Sequence, residues 1–192
     1  MKQNGFTIVE TLIAVAVLLL VIAAPLTLAE RSLASADSAE QEIVAVYLAQ
    51  EAIEFVRNKR DSNVLAGASW LAGLESCTVS GAGDPGCGVD PTNPESARDV
   101  ALCGSANDTC RLWQNDGTRT GDEAMKGLFG HPQNRQGGEN GWRQTQYTRV
   151  VSLVPAASGA EAEVRVALSW STGGFGSRVL SVSDNLMHWY AP

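Results

Sequence analysis

The sequence predicts an α+β fold. One long N-terminal α-helix packs on a C-terminal antiparallel β-sheet, with a cysteine-containing loop region between them. Three observations carry that prediction. An apolar run near the N-terminus continues into a helical pattern that reaches Arg60. Three segments near the C-terminus alternate apolar and polar residues. All four cysteines lie in a Gly-, Asn-, Asp-, Ser- and Pro-rich stretch that separates the two.

The helix comes first. Thr11 to Ala29 contains no charged residue. As a helix that run is ~28 Å long, about the thickness of a bilayer core. Lys2 on its N-terminal flank fits an N-inside, C-outside orientation. Pro25 lies inside the run, removes one backbone donor and predicts a kink or a locally opened helix. Glu10 is the anomaly: a carboxylate at mid-bilayer costs roughly 2.5–3.5 kcal/mol, less near the interface, and so calls for a partner. From 30 to 60 the pattern becomes amphipathic. Ile43, Tyr47, Gln50, Ile53 and Val56 follow helical spacing, with Leu33 and Val46 nearby. Lys59 and Arg60 suit the negative end of a helix. The whole helix would be ~80 Å long.

Residues 61–142 read as an irregular loop region in which Trp70, Leu71, Leu74, Leu112 and Trp113 seek the core. Four cysteines beyond a membrane segment imply disulfides in an oxidising compartment. Cys77 with Cys87 and Cys103 with Cys110 is the simplest of three connectivities. Each loop would contribute roughly 2.5–3 kcal/mol in the chain-entropy model. The spacing lacks the tight pairs of a zinc site. No cofactor is expected. Asp84, Asp90, Asp116 and Asp122 sit in Gly-rich turns of a kind that can hold Ca²⁺, but no run has calcium-loop spacing, so solvated turn acids are the plainer reading. Asn107-Asp108-Thr109 fits a glycosylation sequon.

Residues 143–192 carry the strands. Gln144–Val154, Glu163–Trp170 and Arg178–Val182 alternate. Pro155–Gly159 and Ser171–Ser177 are the turns of an antiparallel meander with one buried face. Arg143, Arg149, Arg165 and Arg178 lie on or beside these strands and read as a solvated face paired with Glu161 and Glu163.

The chain has 192 residues and 21 carboxylates against 14 Lys and Arg. That acidic balance disfavours nucleic acid as a partner. No phosphate loop, dinucleotide fingerprint, nucleophile elbow or zinc-protease motif occurs, and His131 and His188 stand alone, so no enzyme is expected.

The stretch Gly5-Phe6-Thr7-Ile8-Val9-Glu10-Thr11-Leu12-Ile13 resembles the cleavage motif of type IV prepilins. The resemblance covers about the first 30 residues. It implies a leader, 1–5, removed by a prepilin peptidase that cuts between Gly5 and Phe6 on the cytoplasmic face. It also implies N-methylation of Phe6 and packing of the helices, 6–29 in each chain, as a filament core. Glu10 would neutralise the Phe6 amine of an adjacent subunit, and pilin helices commonly carry a proline near the place of Pro25. The partners implied are other pilin subunits, the peptidase and methyltransferase, the inner-membrane assembly platform and the lipid bilayer. The ending Ser183–Trp189, after the strand Val164-x-Val166-x-Leu168-x-Trp170, resembles minor, PilV-like pilins. The expected function is a minor pilin held in the cytoplasmic membrane by a single pass and then carried into a surface filament. The alternative is a pseudopilin of a type II secretion or competence system; an adhesin role for the loop region is compatible with either. A cleaved secretory signal ending at Ala34-Ser35-Ala36 is the competing reading of the N-terminus, with an apolar region too long and Glu10 misplaced.

Overall fold

The computed structural model describes residues 7–81, 83–92, 99–104, 110–118, 123–131, 141–172 and 176–189. The cut-site pair Gly5 and Phe6, the sequon Asn107–Thr109, Asp122 and the hairpin residues 173–175 lie outside them. The chain divides into two units, Met1–Ile43 and Val44–Pro192. A single helix, α1, is assigned from Ile8 to Leu65 and runs unbroken through Pro25.

In the first unit α1 carries no charged residue from Thr11 to Ala29. Every large apolar side chain from Ile8 to Ile22 is at least 53 % exposed. Burying one such side chain gains about 1.5–3 kcal/mol, so this surface calls for lipid or another chain to cover it. By length and composition α1 is long and apolar enough to cross a membrane.

The second unit is a helix on a sheet. The helix ends five residues later than Arg60, where the basic pair Lys59–Arg60 suggested a stop. Asp61–Leu65 carries no breaker, and the chain leaves the helix only at Gly67, which has φ +68°. Ala68 N–H donates to Asn63 C=O and Gly67 N–H to Val64 C=O, a Schellman closure that satisfies the last carbonyls.

The face that α1 turns to the sheet also differs from expectation. Ala45, Leu48, Ala49, Ala52, Ile53 and Val56 are buried. Of the expected stripe, Ile53 and Val56 are among them, whereas Ile43, Tyr47 and Gln50 are exposed. Alanines give a weak hydrophobic signal, yet they let the helix approach the sheet closely.

Among the described residues seven strands form one sheet. β1 is Cys87–Val89, β2 Val100–Leu102, β3 Arg111–Asn115 and β4 Phe129–Gly130; β5 is Trp142–Pro155, β6 Glu161–Ser171 and β7 Ser177–Met187. All pairings between these strands are antiparallel. β5 pairs with β6 along one edge and with both β1 and β3 along the other, since Thr148 opposes Ser169 and Arg111 while Val151 opposes Val166 and Cys87. The three long strands alternate as expected, with Val151, Leu153, Val164, Val166, Leu168 and Trp170 buried. They are longer than the alternation indicates, and β7 runs on through Asp184 to Met187.

The region 61–142 is therefore not wholly irregular. Four short strands and two 3₁₀ turns, Glu75–Cys77 and Glu123–Met125, lie within it. Leu74 and Leu112 are core residues, Trp70, Leu71 and Trp113 are half-buried, and Cys77, Cys87 and Val89 join the core unannounced by any periodicity.

Candidate functional site

The site with a functional signal is the start of α1. Thr7 precedes the first helical residue, and its hydroxyl accepts the backbone N–H of Glu10 at 3.3 Å. Thr7 C=O accepts Thr11 N–H at 3.2 Å, and Thr11 Oγ1 donates to Ile8 C=O at 2.8 Å. Thr7-x-x-Glu10 is thus half of a capping box, a spacing already present in the sequence beside the charge of Glu10. The arrangement gives Glu10 two compatible roles. It lies in the first turn, where the exposed N–H groups favour an anion. It is also exposed, so its carboxylate remains available to a cation outside this chain.

In the second unit the cysteines form two disulfides, Cys77–Cys87 and Cys103–Cys110. The first is buried and joins the Glu75–Cys77 turn to β1.

The acids considered for calcium are spread among separate turns. Asp84 Oδ2 accepts the N–H groups of Ser80 and Gly81 at 2.6 and 3.1 Å. Asp90 is buried; it accepts Thr92 N–H at 3.0 Å, the Thr92 hydroxyl at 2.6 Å and His131 N–H at 3.0 Å. Asp116 accepts Thr118 N–H at 2.9 Å and its hydroxyl at 2.7 Å. The Thr118 hydroxyl, then its N–H, hold the Asp116 carboxyl below the usual range, with help from Arg143. Among the described residues no three His, Cys, Asp or Glu side chains gather as a metal site. His188 stacks on Trp70, with ring centroids 5.5 Å apart.

The strand arginines do not form one solvated face. Arg149 is fully buried. Its Nη1 donates to Leu48 C=O at 3.0 Å and Glu51 Oε2 at 2.6 Å, and its Nη2 to Val89 C=O at 2.9 Å. It therefore ties α1, β5 and β1 together. Strict alternation puts Arg149 in phase with Tyr147 and Val151 on the inward face; what the pattern leaves out is the set of partners that lets a charge be buried there. Arg165 does lie outside, paired with Glu163 at 2.6 Å, and its hydrogen bond lowers the Glu163 pKa. Arg57 pairs with Asp184 of β7, whose hydrogen bond raises the guanidinium pKa.

Residues 1–24 match the family model described as the prokaryotic N-terminal methylation motif. Comparison with curated proteins and with solved structures finds no match. The match spans the expected leader, the Thr7 cap, Glu10 and most of the uncharged run, and the rest of the chain supplies a helix whose later part packs on an antiparallel sheet. The chain carries the prepilin signature of the type IV pilins and pseudopilins.

Proposed function

We propose that the chain is a minor pilin, a structural subunit inserted among or capping more abundant pilins in a type IV filament. The methylation motif at residues 1–24 carries the reading, because it marks a chain that is processed by a prepilin peptidase and assembled with other pilin subunits. The peptidase cuts between Gly5 and Phe6, and the new amine on Phe6 is methylated. The helix then anchors the chain in the cytoplasmic membrane with the sheet unit outside. On assembly the exposed Glu10 carboxylate meets the Phe6 amine of a neighbouring subunit.

The test is the mass and N-terminal sequence of the chain recovered from membranes. N-methylated Phe6 as first residue is expected. A chain that begins at Met1, Asp37 or Ser38 overturns the reading. Glu10→Leu should leave membrane insertion intact and lower incorporation into filaments. The same motif serves pseudopilins. Deletion separates the two: loss of surface filaments is expected, and loss of protein secretion with filaments intact assigns the chain to a secretion system.

A further inference from the structure

The two disulfides differ in what a thiol in solution can reach. Cys77 and Cys87 are both 0 % exposed, closed in beneath the sheet among core residues. Cys110 is 5 % exposed, whereas Cys103 is partly exposed. The hairpin of β1 and β2 explains the contrast. Cys87 opposes Leu102, and the ladder continues for one more bond, from Cys103 N–H to Gly86 C=O at 2.9 Å. Successive residues of a strand point to opposite faces, so Cys103 leaves the hairpin on the face away from Cys87. The two pairs are thereby kept apart and do not exchange with one another in the folded state.

The backbone at both ends of the second disulfide is held independently of the S–S bond. Cys103 is fixed by its bond to Gly86, and Cys110 C=O accepts Arg149 N–H at 2.8 Å. Opening this bond leaves β1, β2 and β5 hydrogen-bonded, and the two thiols stay positioned to close again.

We infer that Cys103–Cys110 is a reversible redox site, opened by a protein dithiol while the fold is intact, and that Cys77–Cys87 is inert in the same state. The thiolate of the dithiol attacks the sulfur of Cys103, the partly exposed residue of the pair, and forms a mixed disulfide. Cys110 leaves as a thiolate and takes up a proton. The second thiolate of the dithiol then attacks the dithiol's own sulfur in the mixed disulfide and releases Cys103. Two electrons pass to the chain, and the dithiol becomes a disulfide.

The test uses the full chain in detergent micelles with dithiothreitol as the dithiol. Graded reductant is applied under native conditions, thiols are trapped with an alkylating agent, and the cysteine peptides are read by mass spectrometry. Cys103 and Cys110 should be labelled at a reductant concentration at least about tenfold below that needed for Cys77 and Cys87. The near-ultraviolet circular dichroism should be unchanged at that point, and removal of reductant should restore the bond. Simultaneous reduction of both pairs, earlier labelling of Cys77 and Cys87, or loss of the tertiary signal with the first labelling overturns the inference. The double variant Cys103→Ser, Cys110→Ser gives an independent check: it should fold and keep its one disulfide closed in mild reductant, and failure to fold counts against a dispensable bond.

Discussion

Arg149 shows how one side chain organises the second unit. A fully buried guanidinium is costly unless most of its donors are used; here two carbonyls and one carboxylate receive Nη1 and Nη2, while Nε has no partner among the described residues. Removing the cation takes a donor from Val89 C=O, while Leu48 C=O keeps its place in the α1 ladder and Glu51, with a side chain 36 % exposed, is left to water. Arg149→Met should therefore destabilise the unit by about 3 kcal/mol, the low end for a broken buried pair, measured by urea denaturation. Asp116 gives a milder, pH-dependent case. Its folded pKa is depressed by Thr118, so its contribution is present above the unfolded carboxyl pKa and fades as pH falls through the folded value. Thr118→Val should move the Asp116 titration, followed by NMR, up towards the ordinary carboxylate value. Glu163, depressed by Arg165 instead, should titrate as before.

At the scale of elements, the long strands could be read from sequence because alternation over ten or so residues with one buried face is a strong signal. The short strands could not. β1, β2 and β4 have three, three and two residues, too few for a period, and each exists because a neighbour supplies its hydrogen bonds. Gly86 shows how tightly that neighbour sits. It has φ +68°, and a Cβ there would meet Val151 C=O at 2.7 Å. Gly67, at the helix end, has the same φ, but a Cβ there meets nothing within 4 Å. Gly67→Ala should cost about 1 kcal/mol, the backbone term alone. Gly86→Ala adds a collision with the backbone of β5 and should cost clearly more. Thermal denaturation of the two variants side by side checks the order. The N-terminal site was readable for a different reason. Its motif is a contiguous run of residue types, so no long-range packing had to be known, whereas the inward placement of Arg149 depends on partners as far away as Leu48 and Val89.

At the scale of the whole molecule, two kinds of apolar surface on one helix serve different partners. In the second unit the alanine-rich stripe of α1 is used by the chain's own sheet. Tyr47, 67 % exposed, and Val46, 37 % exposed, are not covered by that sheet. Ile43, Tyr47 and Gln50 follow helical spacing as regular as that of the buried stripe, which is why sequence alone favoured Tyr47 for the core. On the minor-pilin reading the chain must both fold and polymerise, and the two surfaces should separate under mutation. Ala52→Leu inserts three carbons where the side chain is 0 % exposed, and overpacking of this kind costs about 1–3 kcal/mol. Tyr47→Ser removes an aromatic ring from solvent and should change the folding free energy by no more than about 0.5 kcal/mol. Under the minor-pilin reading, incorporation into filaments responds in another way: Tyr47→Ser should lower the amount of chain recovered in sheared filaments at unchanged cellular level, because the ring contacts a neighbouring subunit. Denaturation of the purified chain and immunoblots of sheared filaments measure the two quantities separately. A Tyr47→Ser chain that keeps both its stability and its full incorporation would show that this face of the helix stays in solvent in the filament.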